Sequence, residues 1–302
     1  MKGLLSMLKS EKVKARLREI RYSLYVLKRN RLTYFSSLFV IFLVFVAVIG
    51  PFFVPYPEDA YGAVHPERAF KPPSFEHLFG TDDAGRDIFS RVIIGARISL
   101  SVGIIAIALT LLIGVPLGLI AGYMGGLIDE AIMRITDMFL SLPPLLLALV
   151  FAAVMGLRGQ SFSNVLIAIA VAWWPWYTRL VRGQVVSLKE RPFVEAAHAA
   201  GVRPFKIMFK HILPNCLTPI LVQASLDFGS VILTAAGLSF LGLGAQPPTP
   251  EWGLMLSIGR YYFLNYWWLT TFPGLAIFVT VLAFNLMSDG LREALCPRLR
   301  RF

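Results

Sequence analysis

The chain is 302 residues long, 56% apolar and only 16% charged, with a mean hydropathy of +0.66. Those values lie far from a soluble globular domain and read as an integral membrane protein. The net charge of +11 then concerns the membrane surface, and nucleic acid is a poor explanation of it.

Residues 1–33 read as a basic cytoplasmic segment. Val13, Leu17, Ile20, Leu24 and Leu27 recur at spacings of four and three, with Lys and Arg filling much of the rest. This predicts an amphipathic helix lying flat in the headgroup layer, since the pattern lasts only about two heptads, too short for a coiled coil. Residues 34–53 form the first apolar run. Its apolar core is too long for a cleaved signal peptide and no small-x-small site follows before Pro51 and Pro55, so it is expected to stay as a transmembrane anchor. An extracytoplasmic loop, 54–97, leads to a core transmembrane domain, 98–288, with further apolar runs at about 98–124, 138–157, 165–177, 216–243 and 267–287. With about 20 apolar residues needed per crossing, the expected count is six. The run at 165–177 reaches adequate length only through Thr178 to Val186, placing Arg179 and Arg182 at the headgroups. Residues 289–302 are a tail.

With a cytoplasmic amino terminus, 22 of the 29 Lys and Arg fall on the cytoplasmic side and seven opposite. The positive-inside rule therefore puts both termini in the cytoplasm. Cys216 and Cys296 then sit at cytoplasmic ends of spans, as free thiols.

Gly80 and Gly85 have phosphate-loop spacing, but Arg86 stands where the Lys belongs and Asp87 where a Ser or Thr should meet magnesium. Asp and Arg residues at 82–91 instead cap and pair at the outer face. Gly114, Gly118 and Gly122 make a small-xxx-small face, which predicts close packing inside the subunit or with a partner subunit rather than homodimerisation. Pro116, Pro143-Pro144 and Pro175 are sites for kinks. His65, His77, His198 and His211 are too scattered for a metal site. The Trp residues at 173, 174, 176, 267 and 268 suit interfacial belts and packing. Asp227 lies about 11 residues into the fifth span, near mid-membrane. Two roles stay open for it, a structural Asp bonded to Ser225, Ser230 or a neighbouring helix, and a lining residue of a substrate path.

Between the fourth and fifth runs, 187–215 form a charged, ordered loop. Pro192 opens a short helix, Gly201 closes it in the left-handed conformation, and Pro204 opens a second. Glu195 occupies the first turn, where the helix dipole favours a carboxylate. Ala196, Ala197, Ala199 and Ala200 leave the helix slim enough to enter a groove.

Glu195-Ala196-Ala197, Gly201, His211 and Leu213-Pro214-Asn215 resemble the cytoplasmic loop of permease subunits of binding-protein-dependent ATP-binding-cassette (ABC) importers. Leu78 to Ser101, Phe240 to Gly253 and Asp289 to Arg300 resemble the dipeptide, oligopeptide and nickel branch, with Cys296 where the branch often has Asp. Arg29-Asn30-Arg31 resembles the start of its C-type subunit. The resemblance implies an all-α, polytopic, type I ABC importer permease (MetI-like) fold in the plasma or inner membrane. It implies a non-catalytic subunit that binds no cofactor, with ATP and magnesium on partner subunits. The implied partners are a second, B-type permease, two ATPase subunits, an extracytoplasmic substrate-binding protein and membrane lipid, with no nucleic acid. Glu195 to Asn215 would be the coupling loop seated in an ATPase cleft, and the substrates di- or oligopeptides, with nickel and oligosaccharides as alternatives. A secondary transporter or channel is the rival class, and it would need coupling-ion or filter residues, of which only Asp227 is conspicuous.

The charge bias makes Cys296 a reporter of topology. An impermeant thiol reagent is expected to label it only after permeabilisation, and labelling in intact cells would refute a cytoplasmic carboxy terminus.

Overall fold

The computed structural model describes residues 30–157, 159 and 161–295, without side chains beyond 292. The expected amphipathic helix around Val13 to Leu27, Cys296 and the rest of the tail lie outside the described residues. The described chain is helical, with only an isolated bridge between Thr81 and Asp87. Four helices are long and apolar enough to cross a membrane. They include α1 (Arg31–Ile49) and α2 (Ile88–Met124). A bent pair, α3 (Gly126–Leu140) and α4 (Pro144–Gly156), makes a fifth if it counts as one crossing. Helix α5 (Phe162–Lys189) has the length of a sixth at 28 residues but is less apolar. Beyond the loop helix α6 (Pro192–Ala199) come α7 (Leu213–Phe240), α8 (Trp252–Gly259) and α9 (Trp268–Leu295).

Three expected boundaries move. The second span starts at Ile88, ten residues before the apolar run, because the Asp87 carboxylate accepts the Ser90 N–H at 2.8 Å and caps the helix there. Its 37 residues extend about 55 Å at 1.5 Å per residue, more than the roughly 30 Å of a hydrocarbon core. The run at 138–157 is no single helix. It breaks by 90° at Pro143-Pro144, where a ring at each position removes an N–H and the residue before a proline is held extended. The loop expected after the fifth span contains α8, capped by the Glu251 carboxylate, which accepts the Gly253 and Leu254 N–H groups at 3.0 and 2.8 Å. Burial lifts that carboxyl above the ordinary range, against the pull of the two donors.

Residues 50–87 fold as a compact cap over the Ile88 end of α2, built on three 3₁₀ turns with a proline at their first or second position, Gly50–Phe52, Pro57–Ala60 and Pro66–Arg68. As expected, its charged groups cap and pair. Asp87 N–H donates to Asp59 at 2.7 Å, Arg86 Nε donates to Asp82 at 2.8 Å, and His77 Nδ1 lies 3.0 Å from Asp87. The buried Arg91 guanidinium donates to the carbonyls of Asp59 (2.8 Å) and Pro248 (3.3 Å). Trp252 and Trp268 donate their indole N–H to the Val92 and Thr81 carbonyls. Cap, α2, the 241–251 loop and the start of α9 are thus locked together at one end of the bundle.

The bundle axis is the α2–α5 pair. A Cβ on Gly118 would stand 2.6 Å from the Thr178 carbonyl and 2.7 Å from Val181 Cβ, and Gly114 and Gly122 meet Tyr177 and Val185 equally closely. The small-residue face is therefore spent on close packing inside this subunit. Two apolar cores flank the pair. The larger joins α1, α2, α4, α5 and α7 to α9; the smaller, around Leu119, Val181, Val185, Ile212 and Cys216, sits at the Met124 end of α2 with the loop helix.

Gly118→Val should wedge α2 from α5 and cost about 3 kcal/mol, read as a lower thermal unfolding midpoint in detergent and less inserted protein. Gly183→Ala, where an added Cβ meets open space, should match the unsubstituted chain. Equal stability of both variants would refute the packing assignment.

Candidate functional site

The loop after α5 has the predicted hairpin form. Pro192 stands at the first position of α6 and Glu195 in its first turn. Gly201 takes φ = +71°, and its N–H and that of Val202 donate to the His198 and Ala197 carbonyls at 2.9 and 3.1 Å, closing the helix by a left-handed cap. Arg203 is extended ahead of Pro204, which begins a short turn, Pro204–Lys206. Next comes a π-helix, Ile207–Ile212, a form often found at functional sites. It leads into α7 through Leu213 and Pro214.

One face of the hairpin is anchored and the other is bare. Val194, Ala197, Ile207, Met208 and Ile212 are buried in the smaller core. Ala197 thus turns inward and does not line an open face. Glu195, Ala196, Ala199, Ala200 and Gly201 are exposed, as are Pro214 and Asn215, while His211 and Leu213 are half-buried. Asn215 Nδ2 donates to the His211 carbonyl at 2.7 Å, tying the π-helix to α7. Phe205 and Phe209 meet on the bare face with ring centres 4.4 Å apart and planes tilted by 36°, beside exposed Arg203, Lys206 and Lys210. Sequence reasoning missed these two aromatics, although their spacing of four residues signals a shared helix face.

Below the hairpin, charges brace the bend between α3 and α4. Arg182 grips Asp129 through two parallel bonds of 2.7 Å, and Arg179 pairs with Asp137. These arginines, expected at headgroup depth, are each paired with a carboxylate of α3. Cys216 is fully buried in the smaller core, which removes it as a topology reporter.

Asp227 lies inside α7, half-buried, and accepts from Gln223 Nε2 at 3.0 Å on its own helix. The Tyr177 hydroxyl of α5 is its neighbour. The two interact without the geometry of a hydrogen bond, and both Asp227 Oδ2 and the phenol oxygen are buried without a partner. Neither Ser225, whose hydroxyl donates to the Leu221 carbonyl, nor Ser230 is hydrogen-bonded to it. His65 and His77 belong to the cap, His198 and His211 to the hairpin, and among the described residues no cluster of His, Cys, Asp and Glu could hold a metal.

Residues 114–301 match the family described as binding-protein-dependent transport system inner membrane component, and residues 20–73 match the N-terminal TM domain of oligopeptide transport permease C. The chain is 47% identical over 274 residues to the dipeptide transport system permease protein DppC of Alkalihalophilus pseudofirmus, covering 91% of this chain and 88% of that one. It is 44% identical to the glutathione transport system permease protein GsiD of Pectobacterium atrosepticum, covering 90% and 89% of the two chains. Against the di/tripeptide transport system permease protein DppC of Pseudomonas aeruginosa it is 44% identical, with 87% of each chain covered. In structure it is similar to a chain of the inward-facing methionine ABC transporter MetNI, with a TM-score of 0.53 at 19% identity over 68% of this chain and 97% of that one.

Proposed function

The chain belongs to the binding-protein-dependent transport system inner membrane components, as a C-type ABC importer permease, and we propose that it forms half of a translocation path for di- or oligopeptides. The observation that carries the substrate class is the set of relatives, whose names specify a dipeptide, glutathione (itself a tripeptide) and di- or tripeptides at 44–47% identity over about nine-tenths of the chain. The other half of the path is a B-type permease. Two ATPases attach to the membrane pair and an extracytoplasmic protein delivers substrate.

In this reading the α6 hairpin is cytoplasmic and docks on an ATPase. Support comes from its two-faced build, with Val194 and Ala197 anchored in the protein and Glu195, Ala196, Gly201, Phe205 and Phe209 left bare. ATP and magnesium act on the ATPase subunits, and this chain performs no covalent step. When the ATPases close, the hairpin moves with them and the permease pair alternates between two packed states. Glu195 to Ala197, Gly201 and His211 to Asn215 form the docking and hinge segment.

Uptake by membrane vesicles holding the full complex tests the substrate class. A labelled dipeptide is expected to accumulate with ATP and the loaded binding protein; accumulation of nickel or an oligosaccharide instead would overturn it. The hairpin has its own test. Gly201→Val puts a β-branched residue at φ = +71°, straining the turn by on the order of 1 kcal/mol or more, and Glu195→Lys reverses the charge at the helix start. Each should insert normally yet lose ATPase attachment or its stimulation by loaded binding protein, and with it transport. Wild-type coupling in both would leave the hairpin a mere connector.

For Asp227, the Gln223 bond within α7 and the position of its carboxylate beside Tyr177 of α5 favour a structural role where the two helices meet. Asp227→Asn keeps the hydrogen-bonding capacity and drops the charge. Assembly and transport are expected to persist within about twofold. Selective loss of cationic peptides, with neutral ones still carried, would establish Asp227 as a lining residue of the path.

A further inference from the structure

Helix α6 touches the rest of the protein mainly through the π-helix and α5, and its link to α2 is narrow. That link is Tyr123, one residue from the end of α2. Its ring is buried in the smaller core, and its hydroxyl is hydrogen-bonded to His198 Nε2 of α6 at 3.2 Å, the two rings nearly parallel at 12°. Lys189, the last residue of α5, donates its ammonium to the Tyr123 carbonyl at 2.9 Å and lies 5.8 Å from the centre of the same ring. A cation there suits both the negative end of the α2 dipole and the ring face.

The residues just beyond α2 give it no such support. Gly125 and Gly126 both have positive φ, and an added Cβ at either would meet nothing within 4 Å. Tyr123 and Lys189 are therefore the polar contacts at the tip of α2, beside the packing of Gly122 on Val185, and the chain beyond continues into α3, which Asp129 and Asp137 tie to α5. At its other end, 37 residues away, the same helix carries Asp87 and Arg91, which hold the cap and the 241–251 loop. A single helix thus has one end in the hairpin and the other in the cap.

We propose that Tyr123 is a positioning residue that passes movement of the α6 hairpin to α2, so that α2 carries the state of the ATPases to the cap on the opposite membrane face. The proposal rests on the hairpin being the ATPase docking element. It differs from that reading in naming the receiving helix and the side chain through which it is moved.

The test uses the full complex in proteoliposomes, with Cys296→Ser and an environment-sensitive fluorophore on Phe75→Cys, an exposed position in the cap. The signal is the fluorescence change on trapping the ATPases with ATP and vanadate, which requires no knowledge of the substrate. Tyr123→Phe keeps the ring and removes the hydroxyl. It should leave recovery of the assembled complex unchanged and shrink the cap signal about threefold to tenfold, the worth of one hydrogen bond. His198→Phe changes only an exposed side chain and should give the same loss, and the double variant should be no worse than either single one. His198→Gln, which retains an acceptor, should recover part of the signal. A full signal in Tyr123→Phe and His198→Phe, additive losses in the double variant, or no signal in the unsubstituted complex would each overturn the proposal. Gly201→Val separates the two readings. Loss of ATPase attachment there with a full cap signal in Tyr123→Phe leaves docking intact and removes only the transmission role.

Discussion

The close approach of α2 and α5 is the constraint on which the other contacts depend. Lipid tails are as apolar as leucine, so helices in a membrane gain little from hiding side chains from water and must gain from packing and hydrogen bonds. Three glycines one turn apart let the α5 backbone come within reach of α2, and Thr178 uses that approach to donate to the Gly114 carbonyl at 3.2 Å. The register so fixed has consequences at the Met124 end. Val181 and Val185 enter the smaller core, and Arg182 is turned toward Asp129. Lys189 is left one step from Tyr123. A residue with a side chain at Gly118 would disturb all of these at once.

The two ends of the bundle solve different problems with different chemistry. The cap end collects Asp59, Asp82, Asp87, Arg86 and Arg91 in a largely buried network, which is costly in desolvation unless each group is paired. Backbone carbonyls and N–H groups supply much of the pairing there, though Arg91 Nε and His77 Nε2 stay buried without a hydrogen-bond partner, so the network fixes geometry more than it adds stability. The hairpin end is held chiefly by apolar contacts, with bonds such as that between Tyr123 and His198 at its edge. Apolar contacts are non-directional and can re-form after a small displacement. In the proposed docking role, directional bonds in the cap and non-directional contacts at the hairpin would suit a machine driven from one side.

How much of this was legible in the sequence depended on how local each determinant is. Pro192, Gly201 and Pro204 act on their own φ, ψ and N–H groups, so the hairpin could be drawn from spacing alone. The small face of α2 was equally plain, and only its partner was open. The early start of α2 was hidden, because counting apolar residues treats Arg91 and Arg97 as outside a span, whereas Arg91 is paired within the fold. Pro143-Pro144 announced a kink but not its 90° size, and the ion pairs of Arg179 and Arg182 with α3 join positions more than 40 residues apart. The π-helix has no compositional signature. Tyr123 and His198 are 75 positions apart, and nothing local marks either of them.

The length of α2 joins these observations. A helix of about 55 Å in a hydrocarbon layer of roughly 30 Å must project at one or both faces, and here both projecting ends are occupied. Helices are stiff over this distance, so a displacement imposed at Tyr123 cannot be absorbed by bending unless a weak point intervenes. Pro116 is the one proline inside α2, and it lies between Gly114 and Gly118, where contact with α5 is tightest. A proline there removes one backbone bond, but the surrounding ladder confines the helix on the side where it would bend. The packing of α2 on α5 thus flanks Pro116 on both sides, and in the proposed transmission it supports α2 at the position where the helix would otherwise bend.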